Sequence, residues 1–110
     1  MSGKFSRDKG ARFERACADF FKRWYPKAKR GVGQSQSGDN GADVEGTEYW
    51  VECKVGARPN IQGAYDQAEG VTDGRPTMVL SKKDRNKILV TMDIDTFTNF
   101  IDVIKNKQKR

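Results

Sequence analysis

The chain has 110 residues, 35% of them hydrophobic and 33% charged, a size that holds one domain with a modest core and not two independent cores. Its net charge of +6 favours a polyanionic partner, and its fifteen acidic residues are interspersed, so this is no polybasic tail. There is no histidine and only two cysteines, Cys17 and Cys53, which argues strongly against a zinc site and excludes a histidine general base.

Residues 1–7 are polar and are expected to form a flexible, basic end. A helix is predicted from Asp8 to Tyr25, with Ser6 or Asp8 as its cap and Pro26 as its stop. Phe13, Cys17, Phe20, Phe21 and Trp24 recur at helical spacing and are expected to be its buried stripe. Glu14 lies beside that stripe, where it reads as the partner of Arg12, Arg15 or Lys22, or as a functional acid.

Residues 26–42 read as a loop rich in glycine and serine, with a short strand predicted from Arg30 to Gln34. Lys27, Lys29 and Arg30 form a basic cluster in it. Asp39 and Asp43 both qualify as oxygen ligands. Asp39-Asn40-Gly41 reads as a turn, whereas Asp43 precedes Val44 at a strand edge, so Asp43 is preferred.

From Tyr49 to Val55 the pattern alternates. Tyr49, Val51, Cys53 and Val55 take one face; Trp50, Glu52 and Lys54 take the other. Glu52 and Lys54 therefore project side by side, and a turn through residues 45–48 brings Asp43 close to Glu52. Two carboxylates and a lysine suit a hard cation and an activated water. Cys17 and Cys53 read as small core residues of a protein kept in a reducing compartment.

Pro59 and Asn60 open a short helix from Ile61 to Gly70, with Ile61, Ala64, Tyr65 and Ala68 inward and Gln67 on the side of Ala64. Thr77–Ser81 is predicted as a strand buried on both faces and Lys87–Met92 as a second strand. The loop between them carries Lys82, Lys83 and Arg85, a solvated hairpin or a phosphate clamp. Asp93 or Asp95 caps a last helix that is expected to bury Ile94, Phe97, Phe100, Ile101 and Ile104. Residues 105–110 are expected to be a flexible basic tail. No stretch approaches ~18 apolar residues and no apolar leader opens the chain, so the expectation is an intracellular protein with no membrane partner.

Asp43 with Glu52-Cys53-Lys54 resembles the motif of the PD-(D/E)XK nuclease superfamily, with Ala42 where the motif's proline usually stands. Gly10-Ala11-Arg12-Phe13-Glu14-Arg15 is similar to the Gly-x-x-x-Glu-Arg opening of archaeal and phage-type Holliday junction resolvases, and Ser37-Gly38 to the Ser-Gly ahead of their catalytic Asp. The predicted order matches the αβββαββ layout of that superfamily over residues 8–92, followed by the C-terminal helix. The resemblance implies an α/β, restriction-endonuclease-like fold in a single nuclease domain over residues 1–110, a mixed sheet flanked by helices. It implies catalytic roles for Glu14, Asp43, Glu52, Lys54 and Gln67. Mg²⁺, or Mn²⁺ in its place, would be held by Glu14, Asp43, Glu52 and the Cys53 backbone carbonyl. Lys27, Lys29, Arg30, Ser37, Lys82, Lys83 and Arg85 would contact nucleic acid. The implied activity is cleavage of branched DNA, a four-way junction above all, by a homodimer. Another structure-specific (VRR-type) or restriction-like nuclease, and a DNA-binding protein that keeps the fold without the chemistry, are the alternatives.

Overall fold

The computed structural model describes residues 3–31 and 41–108. Eight elements follow in order: α1 (Gly3–Phe21), β1 (Lys29–Arg30), β2 (Val44–Glu45), β3 (Trp50–Gly56), α2 (Ile61–Val71), β4 (Thr77–Lys83), β5 (Ile88–Thr91) and α3 (Ile94–Gln108). The five strands form one mixed sheet in the order β1-β2-β3-β4-β5. Only β3 and β4 run parallel, joined by the α2 crossover; the other pairs are antiparallel.

The alternation read along β3 holds. Val51 and Cys53 pack with Met78 and Leu80 of β4 against Phe13, Cys17 and Phe21 of α1, and Tyr49 and Val55 border that cluster. Trp50 lies on the opposite face with Ala68 of α2 and Ala42. Val51 and Val79 are fully buried, each contributing about 1.5–3 kcal/mol of apolar transfer. Thr77 is buried too, and its hydroxyl donates to Glu69 of α2 at 2.6 Å, so the polar group carries its partner into the core. The expected buried strand Thr77–Ser81 is present and continues to Lys83.

Two tight places shape the β2–β3 hairpin. Gly46 turns the chain at φ 88°, where a β-carbon would stand 2.6 Å from the Lys27 carbonyl oxygen. Gly31 passes so close to the Ala42 backbone that no side chain fits. Asn60 caps α2 as expected, accepting from the Gly63 N–H at 2.9 Å.

Several expectations at the ends are corrected. α1 starts at Gly3, so the segment expected to be loose is helical from there; Lys4 and Asp8 pair across one turn at 3.4 Å. That turn carries a single apolar side chain, Phe5, 53% exposed, and so no apolar stripe for a periodicity reading. The helix stops at Phe21, not Tyr25, and the chain leaves it in a turn. Trp24 consequently falls outside the buried stripe, at 60% exposed, and Phe20, still on the helix, is 43% exposed. β1 stops at Arg30 within the described residues; the remainder of the strand expected to reach Gln34 lies almost wholly outside them.

The largest correction concerns α3. It continues to Gln108, so the expected flexible tail is helical that far. Asp93 caps it, accepting from the Thr96 N–H at 2.7 Å, and Tyr65 of α2 donates to the same carboxylate at 2.8 Å. Beyond this anchor only Thr96 is buried, and Phe100 is half-buried against Tyr49. Ile94, Phe97, Ile101 and Ile104, all expected in the core, are exposed. The helix meets the chain's own body through Thr96 and Phe100, and these four lie on another side of it. Among the described residues, no helix is long and apolar enough to cross a membrane.

Candidate active site

The β2–β3 hairpin brings Asp43 to β3. Asp43 donates its backbone N–H to the Val51 carbonyl at 2.8 Å, and its own carbonyl accepts from Gly31 at 2.8 Å. Its side chain is buried and accepts the Cys53 N–H through Oδ2 at 2.8 Å. A buried carboxylate needs such a donor, and this bond fixes its direction. Cys53 thus meets Asp43 through its N–H, while its side chain enters the core beside Cys17. Both thiols are free. The Cys17 thiol and burial together push the Cys53 thiol far up, so it stays protonated and chemically quiet.

Glu52 lies next to Asp43. Burial first, then the Asp43 charge, push its carboxyl up to about 7, against the opposing pull of the Trp50 N–H and Lys54. Lys54 follows two residues on along the same face, half-buried. Glu14 approaches Asp43 from α1, and burial raises its carboxyl as well, opposed by Arg30. Asp43 is therefore the hub: it raises both neighbours, and the three acids form a negative cluster inside a basic protein.

Each acid already has one oxygen engaged. Arg30 Nε donates to Glu14 Oε1 at 2.6 Å, Cys53 N–H to Asp43 Oδ2, and Trp50 Nε1 to Glu52 Oε2 at 3.0 Å. Among the described residues, no group of three or more His, Cys, Asp and Glu converges on a metal position. The Arg30 guanidinium sits on Glu14 and partly neutralises the cluster. The donor set nonetheless fits a hard cation in its chemistry, being all oxygen and short of positive charge. Asp43 and Glu52 supply an adjoining pair of carboxylates, and Glu14 is held by Arg30.

Two residues in this arrangement carried no role in the sequence reading. Trp50 holds Glu52 through its indole, and the Arg75 guanidinium stacks over the Trp50 ring at 5.2 Å while pairing with Glu45 and Asp73. The Trp50–Glu52 contact had a signal, since residues two apart in a strand share a face. The Arg75 contact had none. Arg30 was expected on phosphate and is instead engaged with Glu14. Gln67, placed on the side of Ala64 and given a site role by the resemblance, is exposed on α2.

Lys27, ahead of β1, and Lys29, in it, are exposed at one edge of the sheet. Lys83 at the end of β4 and Arg85 in the β4–β5 turn are exposed, and Lys82 of β4 is half-buried. This turn is pinned to the end of β3 by Asp84 N–H to Gly56 O at 2.9 Å, and to α1 by the Lys9–Asp84 ion pair. Arg85 adopts φ 67°, a left-handed backbone that glycine or asparagine normally takes. Ser37 and Asp39 lie outside the described residues.

Compared with family models, with curated proteins and with solved structures, the chain matches none.

Proposed function

We propose that this protein is a divalent-cation-dependent DNA endonuclease of the PD-(D/E)XK type, acting on branched DNA and above all on four-way junctions. The observation that carries the reading is the Asp43–Glu52 pair with Lys54 beside it, held on a bent hairpin by the Cys53 N–H. A phosphodiester repels an anionic nucleophile, so hydrolysis needs positive charge at the reacting phosphorus. Mg²⁺, or Mn²⁺ in its place, would be held by Asp43 and Glu52, with Glu14 as a further ligand, and supplies charge neutralisation and an acidified water.

The chain's own residues do the rest. Asp43 is aimed by the Cys53 N–H, and Trp50 fixes the orientation of Glu52. Lys54 adds a cation beside these acids and can orient the attacking water or carry its proton. Lys83 and Arg85 on the pinned turn, and Lys27 and Lys29 at the opposite edge, offer phosphate contacts on either side of the site.

A second reading also has an observation behind it. The carboxylates are engaged by Arg30, Cys53 and Trp50, which is what a DNA-binding protein without catalysis would display. One experiment separates the two: incubation of labelled four-way, flapped and linear duplexes with Mg²⁺ and with EDTA. Cleavage with Mg²⁺ alone, strongest on the four-way junction, supports the nuclease. Binding without cleavage of any substrate in Mg²⁺ or Mn²⁺ supports the second reading. Preference for flapped or linear DNA moves the reading to a VRR-type or restriction-like nuclease.

A further inference from the structure

Trp50 stands two residues before Glu52 on β3, on the same face of the strand. It is 5% exposed and is buried with the small side chains of Ala42 and Ala68. A buried indole has one N–H and needs one acceptor. That acceptor is Glu52 Oε2, at 3.0 Å. The direction of the Glu52 carboxylate is therefore set by where the ring lies.

The ring is itself held. The Arg75 guanidinium lies 5.2 Å from its centroid. Arg75 has little freedom of its own. Its Nε donates to both oxygens of Asp73, at 2.9 and 3.1 Å. Its Nη1 donates to Glu45 Oε1 and to the Tyr49 carbonyl, each at 3.4 Å. The backbone beside it is tied down as well. The Arg75 carbonyl accepts from the Thr72 hydroxyl at 2.8 Å, and the Pro76 carbonyl from the Trp50 N–H at 2.9 Å. The Arg75 side chain is only 25% exposed and two carboxylates already answer its charge, so it is not a cation kept for a phosphate.

We infer that Arg75 is a positioning residue for Glu52, acting through Trp50. The guanidinium fixes the ring, the ring fixes Nε1, and Nε1 fixes the Glu52 carboxylate beside Asp43. A guanidinium suits this task because it can stack on an aromatic face while its N–H groups hold carboxylates, which an ammonium does less well. Where the site holds a cation, the relay sets the carboxylate geometry that the cation meets; this consequence rests on the nuclease reading, and the Arg75–Trp50–Glu52 relay does not.

Two-dimensional NMR with isotope-labelled tryptophan tests the relay, since the chain has only two indoles, Trp24 and Trp50. In EDTA the parent should show one ordinary indole N–H and one shifted downfield and slow to exchange. Trp24→Phe should remove the ordinary one. Glu52→Ala should return the Trp50 signal toward the ordinary position. Arg75→Ala should do the same and speed its exchange at least about 10-fold. Arg75→Lys is read in its place, with the same expectation, if Arg75→Ala does not fold. Thr77→Val is the comparison: Thr77 is the register partner of Trp50 and would lose its bond to Glu69, which weakens the fold without touching the partners of the indole. It should lower the urea midpoint and leave the Trp50 signal in place. An ordinary Trp50 signal in the parent overturns the inference, as does one that the Arg75 variant leaves unmoved. So does a Thr77→Val signal that moves as far as that of the Arg75 variant, since general loosening then explains both.

Binding of Mn²⁺, followed by electron paramagnetic resonance of the free ion, reads the consequence without cleavage. Arg75→Ala and Trp50→Phe should each weaken it about 10–100-fold, and Thr77→Val should not. On four-way junction DNA the same two variants should lower kcat and keep KM. A parent that binds Mn²⁺ with an Arg75→Ala chain that binds it equally well overturns the inference. A parent that binds no Mn²⁺ overturns the nuclease reading instead, and the NMR result alone then decides the role of Arg75.

Discussion

Arg30 of β1 donates to Glu14 of α1 at 2.6 Å, so the acid that approaches Asp43 from the helix is held by a cation the chain itself supplies. The pair is half in solvent, with side chains 39% and 18% exposed, and its Coulombic worth is correspondingly small. Arg30→Ala should lower stability by about 1 kcal/mol in EDTA, because Glu14 is left beside Asp43 without a counter-charge. Mg²⁺ should then raise the urea midpoint of the variant more than that of the parent. Equal responses of the two proteins would mean that Arg30 and the cation do not compete for Glu14.

Glu52 gives a pH dependence of unusual sign. Its folded-state carboxyl is pushed up to about 7, above the ordinary value of 4.5 that the unfolded chain has. Between those values the folded state holds the extra proton, so stability falls as pH rises through the window. Glu52→Gln removes the penalty. In EDTA it should be more stable than the parent at pH 8, by about 2 kcal/mol after allowance for partial solvent access, and should lose that advantage below pH about 4.5. Thermal unfolding across the pH range measures this; an advantage that grows toward acid would contradict the assigned burial of Glu52.

The proposed site residues should separate binding from turnover. Asp43→Asn, Glu52→Gln and Lys54→Ala should each lower cleavage by at least about 100-fold while gel-shift affinity for a four-way junction is kept or improved. Asp39→Asn is the control for the choice between the two aspartates. Loss of cleavage in Asp39→Asn with near-normal rates in Asp43→Asn would transfer the ligand role to Asp39.

The β4–β5 turn predicts opposite effects on stability and on binding. Arg85→Gly relieves the left-handed backbone and should stabilise the fold by up to about 1 kcal/mol. Combined with Lys82→Ala and Lys83→Ala it should also flatten the dependence of log K on log salt by about 2–3. Fluorescence anisotropy on one junction at several salt concentrations reads the slope. An unchanged slope would remove this turn from the DNA surface.

Much of the central architecture was legible because it obeys period two. The alternation from Tyr49 to Val55 assigned both faces of β3, and with them the nearness of Glu52 and Lys54. Asp43 beside Glu52 followed from the turn through Gly46. Burial in α3 was not legible. Ile94, Phe97, Ile101 and Ile104 carry a helical stripe, but a stripe states only that a face seeks cover, not that the same chain supplies it. Phe20 failed for the same reason, whereas Trp24 failed because α1 ends at Phe21 and it leaves with the turn. Contacts such as Arg30–Glu14 and Arg75–Trp50 join residues distant in sequence. Side-chain type alone allows many partners for each guanidinium, and only the packed chain selects one.

The hydrogen bond from Cys53 to Asp43 spans ten residues of chain. The parallel pairing of β3 with β4 begins at Trp50 and Thr77 and needs the whole α2 segment between them. Loop-closure entropy grows with the length enclosed, and a hairpin closes in microseconds, ahead of a crossover that must first build a helix. The acidic pair is therefore assembled by a local event, and the parallel half of the sheet docks onto a hairpin that already carries it. Substitutions in the Gly46 turn should then slow folding, whereas those on α2 should mainly hasten unfolding.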